Sequence, residues 1–174
     1  MSAYSQNDLT AELRQGEILS GLNQYEYDPI TNEGEEIHHS YAIVVHQDCD
    51  LLRDFEEHQK QAGPTLNGIL ILQLQTEEEI KPKVAGADIW KRILRNGEER
   101  YHRLPKKPEG SELDIPALVA DFRLIFTMPP REIYRQLHTG NLKRNCVLVS
   151  PYREHFQSRF AFYLQRVALP DIVT

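Results

Sequence analysis

His46, Gln47, Asp48, Cys49 and Asp50 follow one another directly after the apolar stretch Ala42-Ile-Val-Val45. A buried strand that ends in so many polar and ionisable side chains must supply them with partners, because desolvating them unpaired is costly. Three chemistries fit these residue types. His46 and Cys49 can chelate a soft or borderline metal at a turn, with Asp48 or Asp50 as oxygen ligands and His102 arriving from another strand. Cys49 can instead act as a nucleophile with His46 or His102 as its base. The flanking aspartates oppose that role, since negative charge raises a thiol pKa. In the third reading the stretch is a structural junction. Cys49 packs inward, Asp48 or Asp50 caps a helix starting near Leu51, and Gln47 pairs with backbone. No CxxC pair or HExxH helix accompanies the run, which favours the junction and leaves metal and cofactor unassigned.

A second constellation is basic. Arg100, Arg103, Arg123 and Arg153, with His102 as a proton-transfer group, have the composition of an RNA-cleaving surface. Each also has an ordinary place as an outward-facing strand or helix residue, and Asp121 suits a structural partner on its strand. Arg153 falls in the first turn of the last helix, where the dipole disfavours a cation. A carboxylate such as Asp121 or Asp50 is therefore expected beside it.

The elements that must position these groups are mostly strands. Ile18 and Leu22 mark a first strand that continues toward Tyr25 and Tyr27. Asp28 to Glu36 is rich in turn residues and reads as an exposed hairpin loop. His39 to His46 is a central strand, apolar without alternation. A helix is expected over Leu51 to Gln61, a strand over Asn67 to Gln75, and a helix over Asp88 to Gly97, with Asp88 as cap and Gly97 as terminator. A short strand at Arg100 to Pro105, a loop from Lys106 to Asp114 and one or two strands over Ala117 to Thr127 follow. After them come a helical turn over Thr127 to Leu137 and extended chain over Arg144 to Leu148. Ser150 and Pro151 suit the cap and first position of a final helix whose stripe is Phe156, Phe160, Tyr163, Leu164 and Val167. Residues 1–13 read as an N-terminal arm or short helix.

The chain has 174 residues, 26% of them charged and 40% hydrophobic, which suits one domain spanning 1–174. The net charge of −6 disfavours a strong nucleic-acid binder, yet residues 121–174 hold eight Lys/Arg against four Asp/Glu, and Lys81 to Lys107 is also basic. RNA thus stays among the possible partners, beside a protein partner or a second copy. No run approaches 18 apolar residues, so no membrane span is expected. The first residues lack a secretory pattern, and two cysteines 97 positions apart (Cys49, Cys146) suit a reduced, cytoplasmic protein.

Five landmarks in order resemble a poorly characterised prokaryotic family bearing a Gln-Asp-Cys-Asp-Leu signature. They are Gln15-Gly-Glu-Ile18, Gln47-Asp-Cys-Asp-Leu51, Tyr101-His-Arg-Leu-Pro105, Asp121-Phe122 and Ser150-Pro-Tyr-Arg-Glu-His155. The strand layout more loosely resembles the SH3-like barrel of the MazF/PemK toxins, which cleave RNA without a metal. That resemblance implies a mainly β fold with α insertions, a small SH3-like barrel with a C-terminal helix. It also implies a bacterial setting of stress or phage defence. The chain departs from the toxin pattern in its acidic first half and in Ile37-His-His-Ser40, which stands where a basic residue and proline belong. The activity expected is that of a binding or regulatory module, with a toxin-like nuclease or a subunit of a protein assembly as alternatives.

Overall fold

Ala42 to Val44 and Ile69 to Leu72 are buried without alternation in three-residue and longer runs, interrupted only at Leu70. Strands of that kind need cover on both faces. The computed structural model, which describes residues 2–6, 11–107 and 115–165, provides it. Its strands are β1 (Tyr4–Ser5), β2 (Glu17–Asp28), β3 (Glu33–Val44), β4 (Ile69–Thr76), β5 (Tyr101–Arg103), β6 (Leu118–Met128) and β7 (Lys143–Leu148). Its helices are α1 (Asp48–Gln59), α2 (Glu77–Ile80), α3 (Ala87–Leu94), α4 (Pro130–His138) and α5 (Tyr152–Leu164), with a 3-10 turn at Lys81–Lys83.

The strands form one sheet in the order β1-β7-β2-β3-β4-β6-β5, every pair antiparallel. One face carries Ile18, Ile43, Leu72, Phe122 and Cys146 and packs on Phe156 and Phe160 of α5. The other carries Leu19, Ala42, Val44 and Ile71 and packs on Leu51 of α1 and Ile133 of α4. A third cluster joins Val119 and Tyr101 to Ile80 and Ile93 of α2 and α3. Each fully buried Leu, Ile or Phe of these layers contributes about 1.5–3 kcal/mol.

The expected barrel is therefore corrected. The fold is mixed α/β, and the SH3-like, PemK-like class does not describe it. β1 and β5 stand at opposite ends of the strand order and share no ladder, so the sheet is not closed. Near these ends the Tyr4 side-chain hydroxyl donates to the Pro105 carbonyl, a side-chain bond that does not extend the ladder. The physical reason lies in the central strands. A small barrel hides one face of each strand, whereas here both faces are apolar and each is covered by helix.

Several local expectations shift as well. Glu33 to Glu36 is strand rather than loop, paired with Tyr25 to Asp28, and the turn is only residues 29–32. Tyr4–Ser5 is strand, so the helix alternative over 1–13 does not hold there, and residues 7–10 lie outside the described residues. The 108–114 part of the expected loop and Val167 of the expected stripe also lie outside them. Leu164 is exposed instead of packed. Pro151, not Ser150, occupies the N-cap of α5, with no side-chain cap bond. Gly86, not Asp88, stands at the N-cap of α3.

Candidate functional site

The junction after β3 is built from backbone outward. His46 extends the β3–β4 ladder with its side chain, Nδ1 accepting the Leu70 N–H at 3.2 Å. That bond leaves the proton on Nε2, which faces the Asp50 carboxylate at 3.7 Å. Helix α1 begins at Asp48, one turn earlier than expected, with Gln47 at its N-cap and no side-chain cap bond. Asp48 and Asp50 both lie in the first turn, where the helix dipole favours anions. Asp48 Oδ1 accepts the Gln15 N–H at 2.7 Å and lies 3.5 Å from Arg14 Nε. Its Oδ2 accepts from Arg153 Nη1 at 3.3 Å.

Arg153 is thus paired with Asp48 and Glu154, not with Asp121 or Asp50. Both partners of the Arg153–Asp48 pair are part-exposed, and Arg14 and Gln15 still hold Asp48 without it. Arg153→Ala should consequently cost no more than about 1 kcal/mol, the range of a surface pair. Urea unfolding checks this, and a loss above about 2 kcal/mol would mean that Arg153 orders the junction itself.

Cys49 does not pack inward. The buried face of α1 carries Leu51 and Asp54, and Cys49 falls on the exposed side, with Sγ 3.8 Å from Gln47 Oε1. Both ring nitrogens of His46 are directed elsewhere, to Leu70 and Asp50, so His46 is not placed to serve the thiol. Among the described residues no three His, Cys, Asp or Glu side chains converge as a metal sphere.

Behind Asp48 lies a cavity of about 390 Å³ whose lining includes Ser5, Glu12, Arg14, Arg144, Ser150 and Arg153. Its guanidinium groups already face carboxylates. Arg14 meets Glu12 and Asp48, Arg153 meets Asp48 and Glu154, and Arg144 grips Glu17. Gly16 packs against two of the lining residues with φ +81°, and a Cβ there would stand 3.3 Å from both Arg153 Cγ and Leu148 Cβ.

The set read as a nuclease surface is dispersed. His102 points from β5 under α5, 2% exposed, with its ring against His155 and Phe156, each at 5.2 Å. Burial, then the nearby Arg159 and His155, push its pKa down to about 3, so it is neutral at pH 7. Arg103 is paired with Glu77. Arg100 and Arg123 both converge on the buried Asp121, Arg100 as a two-point fork. Burial raises the Asp121 pKa and the Arg100 fork opposes that rise. Arg153 belongs to the Asp48 neighbourhood.

Sequence reasoning passed over five polar residues that organise the molecule. Buried Glu17 and Arg144 form an ion pair. Asp54 Oδ1 accepts the N–H groups of Thr65 and Leu66 at 2.7 and 2.9 Å, fixing the chain after α1. Asn96 bonds both backbone groups of Arg103, taking the place of a further strand on β5. Gln136 does the same for Asn23 of β2, receiving its N–H at 3.0 Å and donating to its carbonyl at 2.7 Å. Of these, Asp54 carried a readable signal, since it lies three residues from Leu51 and so on the inward face of α1.

The remaining feature is a projection. β7 pairs with β2 only as far as Ser20, and β4 pairs with β3 only from Tyr41 onward. Beyond those points the β2–β3 ladder continues alone to Asp28 and Glu33. At about 3.3 Å per residue, this two-stranded arm reaches roughly 26 Å past its neighbours. Every residue from Tyr25 to Glu36 is exposed.

Fold and site together define an α/β protein with a sheet covered on both faces, internally neutralised charges and one projecting ribbon. Searches against protein-family models, curated proteins and solved structures find no match. The resemblance to a Gln-Asp-Cys-Asp-Leu family is corrected accordingly. The toxin-barrel resemblance falls with the unclosed sheet, and the stress and phage-defence setting loses the resemblance on which it rested.

Proposed function

We propose that this protein is a binding module whose docking element is the β2–β3 arm. The observation that carries this reading is the arm itself, a regular ladder exposed on both faces from Tyr25 to Glu36. An unsupported two-stranded hairpin is marginal in water, and this one is rooted firmly. Gln136 holds Asn23, and His39 stacks on Phe126 with ring centroids 4.4 Å apart. A rooted, uncovered ribbon suits recognition better than catalysis. The nuclease alternative is weakened because its proton-transfer group, His102, is buried and neutral. Among the described residues no helix is long and apolar enough to cross a membrane. The cytoplasm remains the proposed location, in keeping with two free thiols.

A photo-crosslinking amino acid in place of Tyr27, introduced in the native host, tests the reading. Adducts to a discrete polypeptide are expected there, and not from the same group placed at exposed Leu94 of α3. Adduct yields no greater at position 27 than at position 94 would remove the basis for the proposal. An adduct to a second copy of the chain would favour the assembly-subunit alternative.

A further inference from the structure

No lysine or arginine falls between Arg14 and Arg53, while Glu26, Asp28, Glu33, Glu35 and Glu36 all lie on the arm. Their register is unusual. Glu26 stands directly opposite Glu35, and Asp28 directly opposite Glu33, on one face of the ribbon. Like charges in directly opposed positions destabilise a strand pair. None of the five carboxylates is in an ion pair among the described residues. Arg135 of α4, whose charge reaches Glu36, is held by a two-point contact with Glu132.

The other face presents Tyr25 and Tyr27, 60% and 63% exposed, and the tip presents Ile30, 92% exposed. The turn that carries Ile30 is structured. Asp28 Oδ1 accepts the Ile30 N–H at 2.8 Å, Asn32 N–H donates to the Asp28 carbonyl at 2.9 Å, and the Tyr27 hydroxyl bonds the Asn32 side chain. Along β3 the outer edge from Glu33 to Ser40 has no neighbouring strand among the described residues, because β4 pairs only from Tyr41.

Resting on the reading of the arm as the docking element, we infer its partner's chemistry. The arm takes an extended, lysine- or arginine-bearing segment of another protein, added as a strand along the free edge of β3. Main-chain bonds to the edge supply affinity, as in other strand additions. The alternating cations relieve the Glu26/Glu35 and Asp28/Glu33 oppositions, and their aliphatic stems and charged heads suit the tyrosine face. A second copy's arm carries the same five carboxylates and is repelled, as is the phosphate backbone of a nucleic acid.

The test uses the full chain and a nine-residue peptide alternating Lys and Val, with a Glu/Val peptide as control. Titration calorimetry should show the Lys/Val peptide binding and the Glu/Val peptide not binding. Affinity should fall about tenfold on raising salt from about 50 to about 300 mM. It should fall about tenfold again in Glu26→Gln/Glu33→Gln/Glu35→Gln, the sum of three surface pairings. Amide exchange should slow along 33–40. Undiminished binding by the triple variant, or by a chain in which Asn-Gly joins Gln24 to Ile37, would overturn the inference. So would arm-dependent dimerisation of the protein alone in sedimentation. The cross-linking result at position 27 is independent of these. Adducts there without peptide binding would leave a docking arm whose partner is not cationic, and peptide binding without adducts would sink the docking reading instead.

Discussion

Arg144→Ala lowers the free energy of unfolding by about 3–5 kcal/mol, the cost of leaving one charge of a buried pair uncompensated. Glu17 is fully buried and the Arg144 side chain is 5% exposed. Arg144 Nε and Nη2 reach both carboxylate oxygens, and the remaining donors bond the carbonyls of Ala11 and Glu12 at 2.7 and 2.8 Å. Glu17 also accepts the Arg14 N–H at 2.8 Å. A register shift between Ile18 and Leu19 sets Arg144 opposite Leu19, where the unshifted register would set it opposite Ser20, and so turns it to the face that Leu19 shares with Glu17, which is how a bulge re-aims a side chain. One guanidinium therefore holds β7, β2 and the segment before β2 together.

The pair is a specifying contact more than a stabilising one. Burial raises the Glu17 pKa and Arg144 does not fully offset that rise, so desolvation outweighs the attraction. Replacing both partners together, as Glu17→Leu/Arg144→Met, should then restore stability to within about 1 kcal/mol of the parent or exceed it. Urea denaturation of the two single variants and the double variant decides this. Single variants within about 1 kcal/mol of the parent would show that the pair does not bind these segments together.

That ion pair was beyond the reach of sequence reasoning because its partners lie 127 positions apart and meet only through the β2–β7 register. The central strands were legible, since Ala42 to Val45 and the Ile69 to Leu72 stretch announce their burial. What they implied about architecture was missed. Loop connections between strands pointed to a barrel, whereas continuous apolar runs required helices on two faces. The Cys49 expectation failed on a matter of phase. Starting the helix at Leu51 instead of Asp48 leaves the cysteine in the turn, free to face inward. With the helix begun at Asp48, Leu51 and Asp54 fix the inner face and Cys49 turns to solvent. The arm was half legible. Tyr25 and Tyr27 read as strand, but Glu33-Gly-Glu-Glu36 has poor strand propensity and joins the ladder only because β2 runs beside it.

Lowering the pH from 7 to 5 removes about 2 kcal/mol of stability through His102 alone. Its pKa is near 3 in the fold, against about 6.5 when unfolded. Between those values the unfolded chain binds a proton that the native chain refuses, so stability falls as pH drops through 6.5 and goes on falling toward 3. Above 6.5 both states are neutral there and the contribution is flat. The cause is burial among Phe122, Phe156 and His155, reinforced by Arg159, whose guanidinium donates to the carbonyls of Glu98 and Tyr101. Among the described residues the imidazole Nδ1 has no hydrogen-bond partner, so no acceptor there favours the protonated ring. Glu17 and Asp121, whose pKa values are raised, act in the opposite sense, and buried His39 acts in the same sense. The His102 share must therefore be isolated by difference. His102→Phe keeps an aromatic ring against Phe122 and Phe156 without the titration, and its unfolding free energy should fall about 2 kcal/mol less than the parent's over that interval. Parallel pH profiles for the two proteins would mean that α5 yields to admit a charged His102, and that the helix is not the rigid cover its packed phenylalanines make it.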